Sequence, residues 1–149
     1  MTVKIKLTAN GISDLVHQLG QVPAGTETAV RRIVTGTAMQ VQADVKKSVQ
    51  TGPKTGRVYN RGRGRYHQAS APGEAPATDT GTLASRIYQE ANDGGMSASV
   101  FSDVDYAGTL ERGGGKIAPR PYFGPALDKN AQNFVNALEN AVRGVVTKK

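Results

Sequence analysis

Cysteine is absent from this chain, and so is tryptophan. Without cysteine neither a disulfide framework nor a thiolate metal site can form, so stability has to come from packing. Histidine is scarce as well. His17 and His67 lie in unrelated segments with no carboxylate at ligand spacing beside either, and no metal site is expected. No apolar run approaches the ~18 residues of a membrane span, and Met1-Thr2-Val3-Lys4-Ile5 lacks a signal-peptide layout. The expectation is a soluble protein made in a cytoplasm, with no membrane partner. Aromatic residues make up only 5% of the chain, whereas 18 glycines and 7 prolines gather mainly in its middle. That balance fits one domain over residues 1–149, with a compact core and long irregular connections.

Acidic residues are also missing, locally, between Asp44 and Glu74, where Lys46, Lys47, Lys54, Arg57, Arg61, Arg63 and Arg65 stand unopposed. Those seven account for the whole formal charge of +7, because the remaining basic residues equal the 12 Asp and Glu. A cationic arm on a neutral body suits docking better than turnover of a substrate.

Hydrophobic periodicity predicts the elements. Val3, Ile5 and Leu7 alternate as in a strand buried on one face. Asn10 or Ser13 can cap a short helix bearing Ile12, Leu15, Val16 and Leu19, stopped by Gly20. Thr26 is placed to cap a long helix whose stripe is Val30, Ile33, Val34, Thr37, Ala38, Val41, Val45 and Val49. Residues 51–76 dissolve into Gly, Pro and basic residues, a long exposed loop or extended hairpin arm, with the flexible part of the chain set at about 51–80. Arg86–Ala91 and Met96–Phe101 flank Asn92-Asp93-Gly94-Gly95 as a β-hairpin, with Met96, Ala98 and Val100 on one buried face. Tyr106–Arg112 reads as a short helix ended by three glycines. Phe123, Leu127, Phe134 and Leu138 mark a second long helix, with Pro125 in its first turn, a stop at Gly144 and a frayed tail at 146–149. The sum is α+β: an antiparallel sheet with two long helices packed on one face and a basic arm.

Candidate chemistry is thin. Ser70, His67 and Asp79 are close in sequence but sit in the segment expected to be most mobile, and a catalytic triad requires preorganisation. Gly113-Gly114-Gly115-Lys116 lacks the outer glycine spacing, the Ser or Thr after Lys, and the following helix of a phosphate cradle. The arm Arg57–His67 is better placed for work: its arginines can neutralise phosphates while Tyr59, Tyr66 and His67 stack on unpaired bases. The same Arg and Tyr residues are also the usual anchors of protein interfaces.

Three spaced segments, "APGEAPATDTGTL" in Ser70–Leu83, "YAGTLERG" in Tyr106–Gly113 and "APRPYFGPA" in Ile117–Ala126, together resemble the tail-completion or head-to-tail joining family of long-tailed bacteriophages. The likeness runs over about residues 26–142, including the two long helices that bracket the segments. It implies a virion structural protein with no catalysis and no cofactor. Copies would form a hexameric ring at the neck, assembled in the host cytoplasm, joined to adjacent neck or stopper and tail-tube proteins, with double-stranded DNA passing through the channel. The residues expected to meet neighbouring copies or partners are Arg57, Tyr59, Arg61, Arg63, Arg65, Tyr66, Pro72, Glu74, Pro76, Glu111 and Arg120. Prolines 72 and 76 stiffen an extended strap, Gly73 permits a turn, and Glu111 is a candidate partner for Arg120 or for an arginine of a neighbouring subunit. The competing reading is a nucleic-acid-binding module acting through residues 57–67.

Overall fold

The computed structural model describes residues 3–8 and 25–146. The helix expected near Asn10–Leu19 and the tail Thr147–Lys149 lie outside the described residues, as do the side chains of Ile5 and Leu7. In chain order the elements are β1 (Val3–Thr8), α1 (Thr26–Thr51), β2 (Val58–Asn60), β3 (Tyr66–Gln68), α2 (Thr82–Ser85), β4 (Ile87–Asn92), β5 (Ser97–Ser102), α3 (Ala107–Arg112) and α4 (Phe123–Val146), with a single 3₁₀ turn at Asp93–Gly95.

Helix α1 forms because its stripe can be buried, not because its residues favour helix. Val30, Val34, Val41, Val45 and Val49 are all 0% exposed. Burying a valine yields roughly 1.5 kcal/mol or more, against a propensity penalty below about 0.7 kcal/mol, so packing decides. Gly25, in the left-handed region at φ 106°, caps the helix, and Thr26 is its buried first residue instead of the cap. One flank of the stripe meets the sheet, where Gln42 Nε2 donates to Ile87 O at 2.8 Å and the Arg31 guanidinium donates to Gly94 O. The other flank meets α4, where the Asp44 carboxylate takes Lys129 Nζ and Asn130 Nδ2, each at 2.8 Å. Helix α1 therefore lies on β4 and β5, and α4 runs along α1.

The main sheet is antiparallel in the order β1-β5-β4, in a register that aligns Val3 with Ser102 and Ser102 with Ile87. The hairpin arrives one residue later than the periodicity suggests, since Asn92 already pairs with Ser97 and the connection is Asp93–Met96. Both faces of β5 are buried: Ala98 and Val100 toward α1, and Ser97 and Ser99 on the other side, while Met96 is only half-buried. The serines are tolerated because their hydroxyls are paired, Ser97 donating to Asp93 and Ser99 accepting from Asn92 Nδ2 at 3.1 Å. On that outer face Phe101 stacks against Tyr88 at 5.7 Å, and Lys4 lies 5.4 Å above the Phe101 ring.

Gly144 does not stop α4, which continues to Val146. Its φ is not in the left-handed region and a Cβ there would meet nothing, so it is a tolerated interior glycine near a helix end.

Candidate functional site

The three spaced segments converge on one junction. Gly73 N donates to Pro119 O at 2.9 Å, Arg120 N donates to Leu110 O at 2.7 Å, and Glu111 reaches from α3 to the start of α4. Glu111 Oε2 accepts from Tyr122 N at 2.8 Å and Phe123 N at 3.0 Å, and Oε1 accepts from Gly124 N at 2.9 Å. This corrects the expected pairing of Glu111 with Arg120: its carboxylate is held by backbone amides. Tyr122 and Phe123 are buried beside it, edge to face at 4.8 Å, with the Tyr122 hydroxyl on Ala107 O at 3.3 Å. Burial, then the charge of Glu111, pushes the Tyr122 phenol well above its ordinary range.

The strap is ordered through its own turn. Glu74 N donates to Ala71 O at 3.1 Å around Pro72 and Gly73, and Gly73 has φ 85°, the geometry of a type II turn with proline and glycine at its central positions. The Glu74 carboxylate then accepts from the Thr55 hydroxyl at 2.5 Å, Thr55 N at 3.0 Å and Ala71 N at 2.8 Å. Those bonds hold its carboxyl below the usual range, the Thr55 hydroxyl first. Pro76 and Ser70 are buried. Glu74 and Pro76 thus serve the chain's own packing, while Pro72 is exposed, and only the distal part of residues 51–80 stands clear of the body.

That distal part is a two-stranded hairpin, β2 paired with β3, in which Tyr59 faces His67 across the ladder. Its tip, Gly62-Arg63-Gly64, has positive φ throughout, and the Asn60 side chain accepts from Gly62 N at 2.8 Å to start the turn. Arg57, Arg63 and Arg65 are exposed, as are Tyr59 at 46% and Tyr66 at 70%. Arg61 is paired to Asp79, whose other oxygen lies 3.6 Å from His67 Nδ1. Asp79 ties the hairpin to the body.

Hairpin, strap and α3 enclose a cleft of about 360 Å³ whose lining includes Tyr59, His67, Thr78, Asp79, Tyr106 and Arg120. Ser70 lines it too, so the three residues excluded as a triad on grounds of mobility share one ordered wall. Among the described residues no hydrogen bond links Ser70 to His67, and Ser70 is 3% exposed. Two polar atoms in the cleft are buried without a partner, Arg120 Nε and Thr78 Oγ1. Thr55, Thr78 and Tyr106 were not singled out by the sequence. Thr55 acts through Glu74, 19 residues along the chain, and Thr78 and Tyr106 come to the cleft only through the fold, so no local pattern marks them. Among the described residues no group of His, Asp and Glu could hold a metal ion, and no helix is long and apolar enough to cross a membrane. Compared with protein-family models, curated proteins and solved structures, the chain matches none.

Proposed function

We propose that this protein is a non-enzymatic virion structural protein whose copies close into a hexameric ring at the neck of a long-tailed bacteriophage, completing the tail and joining it to the head. The reading rests on the resemblance of the three segments, and the observation that supports it best is their convergence. Residues 71–74, 110–111 and 119–124 are far apart in sequence yet hydrogen-bond into one junction at the head of α4. Such a junction is a structural device, and it positions the hairpin on one side and the helix pair on the other. Both edges of the main sheet, β1 and β4, lack a neighbouring strand among the described residues, and edges of this kind suit pairing between adjacent copies. The basic hairpin would then reach the ring above or below, with DNA passing through the axial channel.

Mass measurement of the purified chain by charge detection, with negative-stain top views, tests the reading: closed six-fold rings are expected, alone or on a partner ring. Localising the polypeptide in intact particles away from the portal-to-tail axis would overturn it. The exposed Tyr66 beside Arg63 and Arg65 favours one second reading, a nucleic-acid-binding module. Salt-dependent binding of a labelled single strand, lost when Arg61, Arg63 and Arg65 become Ser, would support that alternative.

A further inference from the structure

We infer that the outward face of the β2–β3 hairpin docks on the free flank of α4 in a second copy of this chain. The inference rests on the ring reading and deepens it: the ladder lies on the adjacent copy, while the Gly62-Arg63-Gly64 tip projects onward. Val58 pairs with Gln68 and Asn60 with Tyr66, and these four side chains share one side of the ladder, because Tyr59 and His67, one residue along, line the cleft on the other. That outward side carries no charge. Val58 is 55% exposed and Tyr66 70%, diagonal neighbours that make a small apolar centre. Arg57 and Arg65 stand at its margin, one at the base and one near the tip, both exposed and in no ion pair among the described residues.

The α4 flank offers the complement. Leu127, Ala131, Val135 and Leu138 recur there at helical spacing, half-buried or exposed, with Val135 at 45%. Asp128 and Glu139 border that stripe, exposed and likewise in no ion pair among the described residues. The neighbouring cation Lys129 is taken by Asp44 at 2.8 Å, and Arg143, beyond Glu139, has an interaction of its own. At ~1.5 Å per residue the two acids stand about 16 Å apart along the helix. Arg57 and Arg65, whose carbonyls accept from Ala69 N and Arg61 N at the two ends of the ladder, stand about 13 Å apart at ~3.3 Å per residue. Their side chains span the difference. Neither set of charges is met within its own chain, and an apolar centre between charged margins of opposite sign selects one surface for the other. A phosphate backbone would call for cations on the contacting face, where this hairpin has Val58, Asn60, Tyr66 and Gln68. Because hairpin and helix flank are different surfaces, the contact runs head to tail, the kind that closes into a ring.

The chain has no cysteine, so introduced thiols report on the contact alone. Full-length Tyr66→Cys is mixed with full-length Val135→Cys under mild oxidation, and the mixture is expected to give a disulfide-linked dimer that neither variant gives by itself. Charge reversal reads the same contact without touching its centre. Arg57→Glu with Arg65→Glu should weaken self-association at least about tenfold in sedimentation, Asp128→Lys with Glu139→Lys should do the same, and all four together in one chain should recover it. The recovery separates a lost contact from a misfolded variant. Rings of unchanged mass after either reversal, with no mixed cross-link, would overturn the docking and leave the ring standing. A parent chain that stays monomeric at about 0.1 mM and gives no mixed cross-link would overturn the docking too, whereas the ring itself is decided in intact particles. Association that ignores the reversals while binding of a short DNA duplex is lost would assign the hairpin to nucleic acid instead.

Discussion

Glu111 Oε1 accepts the amide of Gly124 at 2.9 Å, and with Oε2 on Tyr122 and Phe123 the one carboxylate closes the N-terminus of α4 from outside the helix. The next residue, Pro125, has no amide hydrogen to satisfy. The donors that begin a helix are normally left to a local cap or to water. Here a distant acid takes three of them, and its negative charge meets the positive end of the helix dipole.

Replacing Glu111 by Ala should therefore orphan the first turn and lower stability by about 1.5–3 kcal/mol, the range for hydrogen bonds to a charged group. Glu111→Gln keeps acceptor capacity but loses the charge, and is expected to cost about half as much. Urea unfolding followed by circular dichroism measures both. Equal, negligible losses would mean that water caps α4 just as well.

Asp44 joins the two long helices, and its pKa is held below the ordinary 3.8, first by Lys129 and next by Asn130, with burial opposing them. A carboxyl with a depressed folded pKa contributes stability that is complete above its unfolded value and is lost as pH falls through its folded value. Asp44→Ala is accordingly expected to cost about 1–2 kcal/mol at neutral pH. The gap between variant and parent should stay constant from neutral pH down to about pH 5, then narrow below 3.8. Paired urea titrations across that window read the difference directly, and a gap that ignored acid would remove Asp44 as its source.

Gly56 sits where the hairpin leaves the body, donating its amide to Ala69 O at 2.9 Å. A Cβ there would lie 2.5 Å from Ser70 O and 2.8 Å from Ala69 O, both backbone atoms. The strand cannot yield without breaking the ladder, so Gly56→Ala should destabilise the hairpin base, with a loss of about 1–3 kcal/mol if the ladder resists. Gly62→Ala at the open tip meets nothing within 4 Å and is strained only by its φ of 77°. A larger thermal shift for the tip variant than for the base variant would contradict this assignment.

What the sequence made legible was set by local period. Val30 through Val49 repeat at three and four residues, and α1 could be read from them, as could the β4–β5 hairpin from its glycine-rich connection. Helix ends were harder. Gly144 looked like a stop, but a glycine ends a helix only when the chain uses its left-handed freedom there, and this one does not. The junction and the cleft were beyond local reading for a different reason. Glu111 caps across 11 to 13 residues, Glu74 reaches back 19 to Thr55, and Arg120 shares a cleft with Tyr59. Such pairings exist only once the sheet and helices have fixed where the loops lie. The strap lies inside the stretch of about 51–80 expected to be flexible, and within it Pro72 and Gly73, read as stiffening the path and permitting a turn, set a defined turn.

The hairpin's attachment makes a last expectation concrete. Asp79 holds Arg61 directly and lies close to His67, but both Arg61 and Asp79 are more than a third exposed, so the pair adds little to global stability. Its effect should be local. Asp79→Asn ought to leave the melting temperature nearly unchanged while amide exchange rises across Val58–Gln68, because that short ladder has no other side-chain ion pair to the body among the described residues. Residues of α1 and β5, whose exchange requires opening the core, should keep their protection. Exchange read by mass spectrometry separates the two: faster labelling confined to the hairpin is the expected outcome, and faster labelling spread into α1 would place Asp79 in the support of the core instead.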